Sequence, residues 1–240
     1  MRLDVYLTEN KLCKSRAAAQ NLINEGGVLV NGKPAAKNSQ EVTEVDSISV
    51  NEEKLPKYAG RGGLKLERAL ERWGIDLSGK LCVDIGASTG GFTDCMLQNG
   101  AVRVFAVDVG RDQLDEKLRA DDRVISLEQT DIRDFSLPVE LADFIGTDVS
   151  FISLKLILPH IHRLLKSGGG AVALIKPQFE AGQNNLSKKG VVKSPAVRER
   201  VVEDIKRFAA ECGFTVAGIS ESPITGGSGN TEYLMYIEKF

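Results

Sequence analysis

The stretch that most constrains this chain runs Val83-Asp84-Ile85-Gly86-Ala87-Ser88-Thr89-Gly90-Gly91-Phe92. An aliphatic strand ends at Gly86, the chain turns through small residues, and a helix starts near Gly91, so the backbone of the turn is open to close approach by a ligand. The next strand, Phe105-Ala106-Val107, closes on Asp108, 24 positions after Asp84. An acid placed roughly 20 residues beyond such a turn reaches a ribose diol. The pattern is that of a nucleoside-bearing cofactor seated on a parallel sheet.

One position makes the match to a dinucleotide imperfect. A dinucleotide fingerprint wants glycine at its second glycine site, where pyrophosphate lies against the backbone, and here that site holds Ser88. S-adenosylmethionine carries no phosphate. It needs acceptors for its ammonium and ribose hydroxyls and a backbone that admits its methionine part, which Asp84, Asp108 and the Gly86 turn supply.

Around this unit helical and strand patterns alternate. Helices are expected near Leu64–Trp73, Gly91–Gln98, Leu154–Leu165 and Pro195–Glu211. Strands are expected at Leu81–Ile85, Val102–Val107, Val124–Leu127, Asp143–Thr147, Gly170–Ile175, Thr215–Ser220 and Glu232–Glu238. Alternation of this kind predicts an α/β domain, a parallel sheet covered by helices.

Residues 1–50 carry a separate pattern. Leu3, Val5 and Leu7 open it, and Ser15 is placed to cap a helix bearing Ala17, Ala18, Leu22 and Ile23. That helix stops at Gly26-Gly27, Val28–Val30 reads as a strand, Asn31-Gly32 as a tight turn, and Ser47–Val50 as a further strand. The polar segment 51–63, with Pro56 and Gly60-Arg61-Gly62-Gly63, reads as a linker. The expected organisation is therefore a small α+β domain at 1–50, a linker at 51–63 and the larger domain at 64–240.

Composition narrows the function classes. The longest uninterrupted aliphatic run, Ala171–Ile175, is far short of the roughly 20 residues that span a bilayer, and the acidic start of the chain does not resemble an export signal. A cytoplasmic protein without a membrane span is expected. Four scattered cysteines and two histidines give neither a zinc spacing nor a disulfide framework, so no metal is expected. The net charge of −2 says little about partners by itself. Lys11, Lys14 and Arg16 nevertheless cluster where the first helix meets the second, while Glu41, Glu44 and Asp46 lie elsewhere, which suits a phosphate-contacting face.

Several further motifs stand together: Arg2-Leu3-Asp4 with Ser15-Arg16 and Val30-Asn31-Gly32, Arg61-Gly62-Gly63-Leu64-Lys65-Leu66, and Asp148-Val149-Ser150-Phe151-Ile152-Ser153-Leu154. They continue with Lys176-Pro177-Gln178-Phe179-Glu180, Lys189-Gly190-Val191-Val192 and Gly226-Gly227-Ser228-Gly229-Asn230-Thr231-Glu232. With these the chain resembles, over nearly its whole length, the TlyA (hemolysin A) family of ribosomal RNA 2′-O-methyltransferases. The resemblance implies a small S-four-type RNA-binding domain ahead of a Rossmann-like class I methyltransferase sheet of the FtsJ-like kind.

It implies a catalytic Lys-Asp-Lys-Glu set at Lys65, Asp148, Lys176 and Glu232. It also implies S-adenosylmethionine bound by the Gly86–Phe92 loop, Asp84 and Asp108, with Asp131 and Ile132 near the adenine and Asp148 and Phe151 near the methionine end. RNA contacts are implied at Arg2, Lys11, Lys14, Arg16 and Arg61, and the partner is ribosomal RNA or a ribosomal subunit, with cytidine as the methylated nucleoside. Within the set, Lys176 is expected to accept the proton of the ribose hydroxyl, Lys65 to favour that exchange, and the two acids to orient. Three other readings stay open at this point: a non-catalytic RNA-binding or ribosome-assembly protein, a membrane-active hemolysin, and methyl transfer to a small molecule or protein.

Overall fold

A computed structural model of the chain describes residues 1–13, 15–51, 54–138 and 140–240, which fall into two compact units, Met1–Lys57 and Tyr58–Phe240. In the small unit, α1 (Leu3–Glu9) packs on α2 (Arg16–Asn24), and a three-stranded antiparallel sheet follows, β1 (Val28–Val30), β2 (Lys33–Pro34) and β3 (Ile48–Val50), in the order β2-β1-β3. Ser15 caps α2, its Oγ accepting the Ala18 N–H at 3.2 Å. Asn31 and Gly32 both take positive φ, 52° and 76°, the turn whose twist matches paired strands. Leu3, Leu7, Ala19, Leu22, Ile23, Val28, Val30 and Val42 form its core.

The large unit opens with α3 (Gly62–Trp73), so Gly62 and Gly63, expected at the end of a linker, are its first turn. Gly63 must lack a side chain, because a Cβ there would overlap the ring of buried Tyr58. The chain continues through β4 (Leu81–Ile85), α4 (Gly91–Gln98), β5 (Arg103–Val107), the short α5 (Glu116–Arg119), β6 (Val124–Leu127) and β7 (Ala142–Thr147). Next come a 3-10 turn at Leu154–Leu156, α6 (Leu158–Leu164), β8 (Leu165–Ile175), α7 (Pro177–Glu180), α8 (Pro195–Glu211), β9 (Phe214–Glu221) and β10 (Tyr233–Lys239). Among the described residues no helix is long and apolar enough to cross a membrane.

The seven strands lie in the order β6-β5-β4-β7-β8-β10-β9. Both faces are covered: Leu81, Val83 and Ile85 of β4 join a core with Ile161 and Ile205, and Cys82 joins another with Leu66, Leu70 and Met96. Strands buried on both faces explain the continuous aliphatic runs of the sequence. One strand departs from the parallel expectation. β10 is antiparallel to both β8 and β9, because the segment joining it to β9 contains no crossover helix and can only reverse the chain.

Candidate active site

That reversal places the polar residues. Asp148 follows β7, Lys176 follows β8, and Glu232 precedes β10, with Tyr233 of β10 in register with Ile175 of β8. Because β10 runs backwards, its beginning lies at the sheet edge where β7 and β8 end, the edge at which ligands bind in α/β sheets. Lys65 joins them from the first turns of α3.

The four side chains form a chain of ion pairs. Lys65 Nζ lies 2.8 Å from Glu232 Oε2 and 3.1 Å from Asp148 Oδ2, and Lys176 Nζ lies 2.6 Å from Asp148 Oδ1. All are largely shielded from water, Glu232 being 2% exposed. Taking so many charges out of water is costly, and removing one partner of such a pair costs about 3–5 kcal/mol. Two neighbours complete the set: Lys176 donates to Ser150 Oγ at 2.9 Å, and Gln178 Nε2 donates to Glu232 Oε1 at 3.1 Å. Both stand inside motifs visible in the sequence, but serine and glutamine carry no chemical signature that would have marked them there.

Two cavities meet at residues 150–152. One, of about 540 Å³, is lined by Gly86, Ser88, Asp108, Asp131, Ile132 and Asp148 among others; the second, of about 750 Å³, is lined by Arg61, Lys65, Lys176, Gln178 and Glu232 among others. Ser150, Phe151 and Ile152 line both. Phe151 is 91% exposed and takes φ of 64°, a left-handed conformation that is uncommon for an aromatic residue. Glu180 holds this loop by accepting the Ser153 hydroxyl at 2.6 Å and the Leu154 N–H at 2.7 Å.

The smaller cavity tests the cofactor expectation. Gly86, at φ 79°, brings the loop against Asp148, whose carbonyl oxygen would lie 3.0 Å from an added Cβ. Ser88 adopts φ of 48°, so it keeps a glycine-like backbone while donating its N–H to Asp108 Oδ2 at 2.8 Å; Asp108 Oδ1 accepts from the Gly110 N–H at 2.7 Å. Each Asp108 oxygen retains acceptor capacity for a ribose hydroxyl. Ile132 offers an apolar wall, and Asp131 is held by Arg133 at 2.6 Å, which keeps its carboxyl below the usual range at about 2.

Asp84, Ala87, Gly90, Gly91 and Phe92 are buried and stand behind the loop, and Thr89 is exposed on it. Asp84 accepts both the backbone N–H and the hydroxyl of Thr93, at 2.8 and 2.7 Å, and burial pushes its carboxyl up to about 7. Gly90 caps α4 with φ of 91°, and a Cβ there would overlap Leu118. These residues shape the turn rather than line the cavity.

The residues implied in RNA contact are divided. Arg61 lines the larger cavity of the large unit. In the small unit Arg2 and Arg16 both pair with Asp4, and exposed Lys11 takes φ of 58° in the turn after α1. Lys14 lies outside the described residues. Glu41 is not remote from the basic residues, since its backbone bridges antiparallel to Arg2.

Comparison with known proteins agrees with this architecture. The model of FtsJ-like methyltransferases matches residues 58–239, and that of the S4 domain matches residues 1–48. The chain is 39% identical to the 16S/23S rRNA (cytidine-2′-O)-methyltransferase TlyA of Mycobacterium tuberculosis, across 98% of this chain and 89% of that one. It is 41% identical to Hemolysin A of Brachyspira hyodysenteriae, across 98% and 99%. A solved Streptococcus thermophilus structure, described as a presumed hemolysin, is 44% identical and superposes with a TM-score of 0.78 over 100% of this chain and 88% of that one. The chain thus belongs to the family of FtsJ-like methyltransferases, with an S4 domain ahead of the catalytic fold.

Proposed function

We propose that this protein transfers the methyl group of S-adenosylmethionine to the 2′-hydroxyl of a ribose in ribosomal RNA, with cytidine as the nucleoside. The observation that carries the reading is the ion-pair chain Glu232–Lys65–Asp148–Lys176. Asp148 lines the smaller cavity, and the other three line the larger one. When bound in the smaller cavity, S-adenosylmethionine supplies a methyl carbon made electrophilic by the sulfonium. Asp108 suits the ribose hydroxyls, the Gly86 turn the methionine part, and Ile132 the adenine. The relatives named as cytidine-2′-O-methyltransferases support both the RNA substrate and the nucleoside.

A 2′-hydroxyl is a weak nucleophile, so the residues around it must orient it and take its proton. Lys65 is held by two carboxylates, whereas Lys176 shares Asp148 with Lys65 and otherwise leans on a neutral hydroxyl. Lys176 is the less fully paired ammonium. In its neutral form it accepts the hydroxyl proton as the new carbon–oxygen bond forms and the methyl carbon–sulfur bond breaks, its electron pair leaving on sulfur as a neutral thioether, and Lys65 steadies the developing negative oxygen. Holding the oxygen about 3 Å from the methyl carbon supplies much of the remaining acceleration. With ribosomal RNA as substrate, the work belongs in the cytoplasm.

Incubating the protein with radiolabelled S-adenosylmethionine and purified ribosomal subunits tests this. Label recovered on a ribose, and lost with Lys65→Ala, is the expected result. Label on a base, or none with any subunit, would favour other chemistry or a non-catalytic RNA-binding role.

A further inference from the structure

Asp4 is an anomaly in the small unit: a carboxylate with no exposed surface, near the start of the chain. Its oxygens accept from three side chains. Arg2 approaches side-on, Nε at 3.0 Å from Oδ1 and Nη2 at 2.9 Å from Oδ2. Arg16 Nη2 lies 3.2 Å and Gln20 Nε2 2.8 Å from the same Oδ2. The bonds from Arg2 and Gln20 hold the carboxyl well below the usual carboxylate range.

Neutralising one buried carboxylate needs one cation, yet two are drawn to it. The cluster therefore keeps a surplus positive charge. Asp4 occupies only the Nε–H and one Nη2–H of Arg2 and one Nη2–H of Arg16, and among the described residues neither guanidinium bonds to another side chain. Both arginine side chains remain about half in water, at 47% and 56% exposed. Two guanidiniums fixed at one oxygen present adjacent planar donor forks, which suit a phosphate with several acceptor oxygens.

We propose that Asp4 is a positioning residue that builds a phosphodiester-binding fork from Arg2 and Arg16, so that the small unit needs this acid in order to hold an RNA backbone. The inference rests on the RNA substrate proposed above and adds how that RNA is gripped. Fixing two long side chains in advance removes rotamer entropy that would otherwise be lost on binding. The prediction runs against simple charge counting, because removing a negative charge should then weaken binding to a polyanion.

The test is filter binding of the full chain to purified ribosomal subunits at several salt concentrations, with wild type, Asp4→Asn, Arg2→Lys with Arg16→Lys, and Arg2→Ala in both the wild-type and Asp4→Asn backgrounds. Asp4→Asn is expected to weaken binding by about 10-fold and to flatten the slope of log affinity against log salt by roughly 1, the loss of about one phosphate contact. Arg2→Ala should cost less in the Asp4→Asn background than alone, and S-adenosylmethionine affinity should stay within about twofold throughout. Should Asp4→Asn unfold the small unit in a thermal melt, the double lysine variant decides. It keeps both charges but loses the forks, and is expected to bind several-fold more weakly. Wild-type binding with Asp4→Asn equal to or tighter than wild type, or the lysine pair matching wild type, overturns the inference alone. No binding of wild type to any subunit overturns it together with the RNA reading.

Discussion

Asp148 in the large unit and Asp4 in the small one each hold two cations with a single carboxylate, but the cations differ in kind and in exposure. Around Asp148 they are lysines, each 9% exposed and walled in by the sheet edge. Around Asp4 they are arginines, about half in water. A lysine can give up and regain a proton, whereas an arginine stays charged and offers a rigid fork of donors. One arrangement therefore suits proton transfer from a hydroxyl inside a cavity, and the other suits the grip of a solvated anion.

The sharpest way to break the contrast is to exchange the kinds of cation. Lys176→Arg keeps the positive charge beside Asp148 but cannot accept a proton, and is expected to slow methyl transfer by about 100-fold or more in single-turnover assays. Cofactor affinity measured by calorimetry should change little. A rate near wild type would mean that Lys176 acts only as a fixed charge. A smaller loss is expected from Gly226→Ala, where a methyl group overlaps Glu232 Oε1 and displaces that carboxylate from Lys65. Misplacement of this order is expected to slow transfer about 10-fold, with S-adenosylmethionine binding again preserved.

Effects on stability are also expected, and they carry opposite pH signs. Burial raises the Asp84 carboxyl to about 7, so the folded state holds its proton more tightly than the unfolded chain does. Its contribution is complete below about 4 and is lost as pH rises through about 7. Asp84→Asn does not ionise and still accepts from Thr93, so its stability relative to wild type should rise by up to about 4 kcal/mol between pH 4 and pH 8. Asp4 is depressed, so its contribution stands above about 4 and fades in acid. The melting temperatures of Asp4→Asn and wild type should therefore converge in strong acid. Parallel pH curves for both variants and wild type would remove the assignment of either carboxylate.

The parts that could be read from sequence are those whose signals are local. The Gly86–Gly91 turn, the aliphatic strands and the Ser15 cap announce themselves because a turn, a strand buried on both faces and a helix start each impose residue types over a few positions. The orientation of β10 was not local. Its hydrophobic pattern is the same in either direction, and only the lack of a crossover helix between Glu221 and Tyr233 hints at the reversal that brings Glu232 beside Lys176.

Side-chain partners separated widely in sequence were hidden for the same reason. Asp4 reads as one more surface acid until α2 is packed against α1 and Arg16 and Gln20 reach it. Ser150 and Gln178 were likewise present in recognisable motifs, yet their role depends on where Lys176 and Glu232 end. Within the Gly86–Phe92 loop, which residues face the cavity and which support the turn was not visible in the sequence. Gly86 and Ser88 line the cavity, while Asp84 and Phe92 support the turn from behind.

Nucleoside mass spectrometry of ribosomal RNA from cells with and without this protein tests the central claim most directly. The account predicts that a 2′-O-methylcytidine present in the first sample is missing from the second, and returns with wild-type protein but not with Lys176→Arg. An unchanged set of ribose methylations, or restoration by Lys176→Arg at wild-type level, would contradict it.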